Sequence, residues 1–265
     1  DGRREGRRAV HRAVPPDREA RLGEEAERRV RKAVFFDLDG TLLPLDMELF
    51  SRLYFAAVED SGLMEHIHPT EGRAIFGEGI YAMLGNDGRR SNADVFFEIA
   101  LRRSALSRPG FEALMDGFYR GGYRHMRQST HRDARVPQIV SALKGKGYRL
   151  ILSTQPVFPP IATNQRVEWA GLSPQDFEYI SYYDNSNWCK PNLGYYREIL
   201  QKTGLGAQEC YIVGNDVRED MCAVALGFEG FLLTEQLIGN LEDAPECQKG
   251  DYSALAGFAK DLPPI

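Results

Sequence analysis

An open α/β fold, a parallel sheet with helices on both faces, is what this chain of 265 residues predicts, and three observations predict it. The apolar run Ala33-Val34-Phe35-Phe36 stops abruptly at Asp37-Leu38-Asp39-Gly40-Thr41, as a buried strand stops at a turn. From Pro137 to Leu233 helical and strand signals alternate, which calls for parallel strands joined by crossover helices. Between these regions lies a long stretch with helical spacing and no strong strand, which reads as an insertion.

Each element has its own signal. The insertion, about Asp46 to Arg135, carries apolar residues at helical spacing over Met47 to Val58, Asn92 to Leu101 and Phe111 to Tyr123. Gly62, Pro69, Gly85, Pro109 and Gly110 break it into several short helices. After it, a helix over Pro137 to Lys146 is stopped by Gly147, and Tyr148 to Leu152 is a buried strand. A helix near Ile161 to Ala170, a strand about Tyr179 to Tyr182, a helix over Tyr195 to Thr203 and the strand Cys210 to Val213 follow. A helix from Arg218 to Leu226 and a strand through Phe231-Leu232-Leu233 complete the alternation, and the tail after about Asn240 carries no clear signal. Residues 1 to about 32 are rich in Arg and Glu, contain Pro15-Pro16 and have few large apolar side chains, so they read as a disordered extension outside the fold. The expected organisation is an extension over 1–32, a core over 33–45 and 136–265, and a helical domain over 46–135.

Composition narrows the function. With 43% hydrophobic residues the chain can bury a substantial core and a smaller second domain. No apolar run is long enough to span a bilayer and the start has no apolar signal-like region, so the expected setting is the cytoplasm, away from membranes. A net charge of -5 offers nucleic acid no general attraction. A small molecule is the expected partner, and nothing fixes the oligomeric state. Cys189, Cys210, Cys222 and Cys247 are scattered without paired spacing, which fits reduced thiols. His66 and His68 lack a third ligand nearby and read as surface residues.

Three strand ends present polar groups: Asp37 and Asp39, then Ser153 and Thr154, then Asn215 and Asp216. Ligands of open α/β sheets bind at such carboxyl edges. The loop Trp188-Cys189-Lys190-Pro191-Asn192 adds a cation. Paired carboxylates can divide the work of nucleophile and proton carrier, while a hydroxyl, a cation and acids able to hold a hard divalent metal suit phosphoryl transfer. Arg102, Arg103, Arg124, Arg127 and Arg132 in the insertion read as a solvated cationic face, and Leu45, Asp46, Phe50 and Tyr54 as packing beside the site entrance.

These four ordered motifs, over about Ala33 to Thr234, make the chain resemble the haloacid dehalogenase (HAD) superfamily of aspartate-nucleophile phosphohydrolases. The resemblance implies a Rossmann-like core with an inserted helical cap of the C1 type. It implies Asp37 as nucleophile, Asp39 as acid then base, and Thr154, Gln155 and Lys190 as phosphate ligands. It implies Mg2+ held by Asp37, Asp39 through its main-chain carbonyl, Asp216 and Asp220. Gln155 stands where many relatives have Asn, and Asn215 where many have the first metal-binding Asp, so Asp216 ranks above Asn215 as ligand. The implied activity is magnesium-dependent hydrolysis of a small phosphorylated metabolite through an aspartyl-phosphate. A phosphomutase and a non-catalytic phosphate-binding relative are the alternatives. Asp39 argues against dehalogenation, because dehalogenases of this superfamily lack an Asp there.

Overall fold

The computed structural model describes residues 31–67 and 69–265. The expected extension therefore lies outside the described residues except for Arg31 and Lys32, and His68 lies outside them too. Six parallel strands form one sheet: β1 (Ala33–Phe36), β2 (Arg149–Leu152), β3 (Tyr179–Ile180), β4 (Cys210–Gly214), β5 (Glu229–Leu233) and β6 (Gln248–Gly250), in the order β3-β2-β1-β4-β5-β6. β1 sits centrally, with Phe36 opposite Leu152 on one side and Val213 on the other. Its four residues are fully buried, which explains a run with no polar alternation. Burial of Phe35 and Phe36 contributes about 1.5–3 kcal/mol each.

Alternation along the strands divides the core in two. Val34, Phe36, Leu150, Leu152 and Val213 face one cluster, shared with the helices α5 (Arg135–Gly145), α6 (Pro160–Trp169) and α8 (Tyr252–Asp261). Ala33, Phe35, Ile151 and Ile212 face the other, shared with α7 (Leu193–Thr203). Both faces are therefore covered by helices, as the sequence predicts.

Between β1 and β2 the chain is helical: α1 (Met47–Glu59), α2 (Pro69–Leu84), α3 (Asn92–Arg102) and α4 (Arg108–Arg120), followed by a 3-10 segment over Gly122–Ser129. α1 and α3 start where Asp46 and Ser91 accept the amides of Leu49 (2.9 Å) and Asp94 (3.1 Å). α4 begins before the expected Phe111, because Ser107 caps it through the Gly110 amide at 3.3 Å and Pro109 fits the first turn. It also stops before the expected Tyr123, at Gly121.

One expected helix is replaced. Arg218 to Leu226 forms a tight turn and then a 3-10 helix over Met221–Leu226. The Asp216 carboxylate accepts the amides of Arg218 (2.7 Å) and Glu219 (2.8 Å), while the Asp220 carboxylate turns back onto the amides of Asn215 (3.1 Å) and Asp216 (3.0 Å). Side chains that hydrogen-bond nearby amides compete with regular helix. The unassigned tail supplies β6 and α8, and the Tyr252 hydroxyl donates to the Thr41 carbonyl at 2.6 Å.

Candidate active site

β2, β1 and β4 are neighbours in the sheet, so the three polar strand ends converge at one edge, where the strand order reverses direction around β1. Beyond that edge lies a cavity of about 360 Å3, lined by Asp37, Asp39, Thr154, Gln155, Lys190, Asn215, Asp216 and Asp220 among others. All the site residues expected from sequence are thus brought to one place. The local turn explains how. After β1 the amides of Thr41 and Leu43 return to the Leu38 carbonyl at 3.2 and 2.8 Å. Gly40 holds a positive φ of 87°, and a β-carbon there would run into the Asn215 side chain.

Lys190 organises the floor. It is 2% exposed, and its ammonium donates to Asp37 Oδ1 at 2.8 Å and Asp220 Oδ1 at 2.6 Å. Burial works against the Lys190 charge, but Asp220 and Asp37 outweigh it and hold the ammonium protonated well above its ordinary range. Burial pushes the Asp220 carboxyl upward and Lys190 opposes that. The remaining Asp220 oxygen takes the amides of Asn215 and Asp216. Both Asp220 oxygens are thus engaged, and the side chain joins the β4 turn to Lys190.

Gln155 is tied to the lysine loop. Its amide nitrogen donates to the Lys190 carbonyl (3.2 Å) and to Glu219 (3.1 Å), and its oxygen accepts the Lys190 amide at 3.0 Å. An amide used at both ends clamps the lysine loop. Thr154 is held through its backbone. Its carbonyl is pinned by Tyr195 (2.7 Å) and Ser181 (2.8 Å), while its buried hydroxyl has no partner among the described residues. Such an orphan is the donor an incoming anion would satisfy.

Asp39 has a partner that sequence reasoning missed. Arg166, from α6 and 2% exposed, pairs with Asp39 Oδ2, and its guanidinium lies over the Phe158 ring at 4.5 Å from the centroid. Asp39 Oδ1 is buried and unpartnered among the described residues. Burial raises the Asp39 carboxyl from its ordinary value, Arg166 opposes the rise, and Asp37 adds to it. The signal for Arg166 was present in the sequence: it falls with Ala162, Thr163, Trp169 and Ala170 on the buried face of a helix, where an arginine has no structural reason to be.

Asn215 is used at both ends of its side chain. Thr41 donates to Oδ1 at 2.9 Å, and Nδ2 donates to the Gln236 carbonyl at 2.7 Å. A carboxylate could not make the second bond, which accounts for Asn rather than Asp here. Among the described residues no three His, Cys, Asp or Glu side chains converge to hold a metal. Asp37 and Asp216 line the cavity together with Asp39, Glu219 and Asp220, and Mg2+ is commonly held by one or two carboxylates with water and phosphate.

The insertion supplies the opposite wall. Leu45, Phe50 and Tyr54, read from sequence as packing, line the cavity, whereas Asp46 caps α1. Arg102 pairs with Glu98, Arg103 with Glu71 and Glu78, and neither these nor Arg124, Arg127 or Arg132 lines the cavity. Cys189 is buried against Asn92, and burial pushes its thiol up to about 12.

Comparison with known proteins agrees with this geometry. The family model described as haloacid dehalogenase-like hydrolase matches residues 31–225. The HAD phosphatase from Thermococcus onnurineus is similar at 19% identity and a TM-score of 0.57, covering 88% of this chain and 100% of that one. A predicted phosphoglycolate phosphatase from Haemophilus somnus 129PT follows at 18% and 0.54, covering 86% and 97%. The L-2-haloacid dehalogenase from Xanthobacter autotrophicus is similar at 16% and 0.53, covering 88% and 100%. These structural likenesses speak to fold, and no curated protein sequence matches the chain. With the family model spanning most of its length, the chain belongs to the haloacid dehalogenase-like hydrolases.

Proposed function

We propose that this chain is a magnesium-dependent phosphohydrolase that releases phosphate from a small phosphorylated metabolite, with Asp37 as nucleophile. The observation that carries the reading is the second carboxylate: Asp39 shares the cavity with Asp37 and keeps a buried, unpartnered oxygen. Phosphate ester cleavage needs such a proton carrier in addition to a nucleophile.

A carboxylate and a phosphate repel, so the site must be neutralised before attack. Lys190 holds one Asp37 oxygen and fixes the carboxylate in place. The orphaned Thr154 hydroxyl is placed to donate to a phosphoryl oxygen. When bound by Asp37 and Asp216 with the Asp39 carbonyl, magnesium supplies the further positive charge that phosphoryl transfer requires. Asp37 forms a bond to phosphorus as the ester P–O bond breaks, and Asp39 delivers its proton to the departing oxygen. Asp39, now a carboxylate, takes a proton from water, whose oxygen attacks phosphorus. The P–O bond to Asp37 then breaks, and inorganic phosphate leaves. In this reading the helical insertion, 46–135, is the cap that closes the site from water.

Single turnover in 18O-water tests this reading. The label should appear in released phosphate, and Asp37→Asn should reduce kcat by at least about a thousandfold. Return of the phosphoryl group to an unlabelled ester would identify a mutase instead.

A further inference from the structure

The two ends of the cavity differ in a way that bears on the substrate. Opposite the carboxylates, α1 and α2 contribute Met47, Phe50, Tyr54, Phe55, Ile80 and Leu84. The polar side-chain atoms on this wall are the hydroxyls of Ser51 and Tyr54, and the latter is already 3.3 Å from the Tyr119 hydroxyl. Backbone groups within these helices are bonded to one another. The apolar character continues to the rim: Met47, Leu84 and Ile238 are 55%, 44% and 52% exposed, and all three line this cavity. Exposed apolar side chains gathered at one mouth mark a ligand site rather than ordinary surface. The two cations lining the cavity, Lys190 and Arg166, are each paired with carboxylates. Lys190 is committed to its two carboxylates and Arg166 to Asp39, with the Arg166 Nε unpartnered among the described residues but buried away from solvent.

We propose that the alcohol half of the substrate is apolar, an aryl or alkyl group without a charge of its own, rather than a polyhydroxylated sugar or an acid. This deepens the phosphohydrolase reading and rests on it. A sugar ring against this wall would lose water from several hydroxyls and find few partners, each unpaired hydroxyl weakening binding roughly tenfold or more. A chain of methylenes gains instead, since each one placed in an apolar pocket improves selection roughly tenfold or more.

The test compares esters of unactivated alcohols, so that leaving-group acidity does not favour one class. With Mg2+ present, kcat/KM for hexyl and benzyl phosphate should exceed that for glucose 6-phosphate, glycerol phosphate and phosphoglycolate by about a hundredfold, mainly through KM. Ile80→Asn should lower the hexyl ester by about tenfold, and Leu84→Asn, at a more exposed position, is the second variant should the first fail to fold. Equal or better hydrolysis of the polyol esters overturns the inference and leaves the phosphohydrolase reading standing. A readout without turnover separates the two claims: the Asp37→Asn protein should be stabilised against heat by hexylphosphonate at concentrations where 2,3-dihydroxypropylphosphonate does nothing. That stabilisation with no hydrolysis of any ester supports the apolar preference and overturns the hydrolase reading. Equal stabilisation by both phosphonates overturns the preference.

Discussion

The two walls of the cavity are built by opposite means. At the sheet edge, Asp37, Lys190, Asp220, Gln155 and Asn215 form a network in which nearly every polar atom is engaged by another residue or by backbone. On the helical side, Phe50, Phe55, Ile80 and Leu84 line the cavity with side chains that carry no hydrogen-bonding groups. The first wall is rigid because each member depends on its neighbours. The second is tolerant, because apolar side chains of similar volume replace one another at small cost. In the proposed reading, reaction chemistry belongs to the sheet edge and selection of the alcohol half to a surface that can change independently.

Lys190→Met should break this contrast most severely. It leaves the buried carboxylates of Asp37 and Asp220 facing each other without a cation, and loss of one partner of a buried ion network costs about 3–5 kcal/mol. Denaturant unfolding should show that loss, whereas Leu84→Ala at a 44% exposed position on the other wall should cost less than about 1 kcal/mol. Equal sensitivity of the two walls would show that they are not built differently.

Arg166→Met sharpens the comparison, because Arg166 belongs to the charged wall yet lies against Phe158. Its guanidinium favours the ionised form of Asp39, opposing the effect of burial. Without it the Asp39 carboxyl rises further, so the basic limb of kcat/KM, where Asp39 must still carry the proton it delivers to the departing alcohol, should move to higher pH. Loss of the guanidinium that holds Asp39 in place should lower kcat by about ten- to a hundredfold. An unmoved limb with lower activity would make Arg166 a packing residue only.

Which parts of the molecule were legible in sequence follows from the same contrast. β1 was readable because both faces of a central parallel strand are buried, so Ala33 to Phe36 has no polar alternation to obscure it. Asp37, Asp39, Thr154 and Asp216 could be assigned to one edge because strand ends are sequence-local events, each a short apolar run followed by polar groups, whereas Lys190 was read from a polar loop before a helix. Arg166 was not found, because its significance depends on which helix face meets the sheet edge, a tertiary fact. The bonds that Gln155 makes depend on the Lys190 loop, 35 residues away. The helix expected after Arg218 failed because periodicity does not register two carboxylates drawing local amides into a turn.

Asn215→Asp probes a single atom of the charged wall. The change removes the donor to the Gln236 carbonyl and places an anion beside the Thr41 hydroxyl. Without divalent cation, stability should fall by about 1–2 kcal/mol, the cost of one buried acceptor left unpaired. Added Mg2+ should restore more stability to the variant than to the parent, because the new carboxylate joins Asp37 and Asp216 at the cavity, and thermal unfolding with and without the ion measures it. A loss that Mg2+ does not reduce would mean that Asn215 lies apart from the cation position.

The smallest expected effect concerns Cys189, the neighbour of Lys190 in sequence. A thiol beside a catalytic cation invites a reactive reading, since cations lower thiol pKa values. Its surroundings reverse that expectation. The sulfur is buried and accepts from Asn92 at 3.3 Å, and burial, with Glu219 adding to it, pushes the thiol up to about 12. At pH 8 about one molecule in ten thousand would then carry the nucleophilic thiolate. Iodoacetamide at that pH should leave Cys189 unmodified in the folded protein and modify it after denaturation, as mass spectrometry of the peptide would show. Activity should be unchanged after the native treatment. Alkylation of folded Cys189 with loss of activity would place thiol chemistry on the charged wall, and the division between a fixed carboxylate site and a tolerant apolar one would no longer describe this cavity.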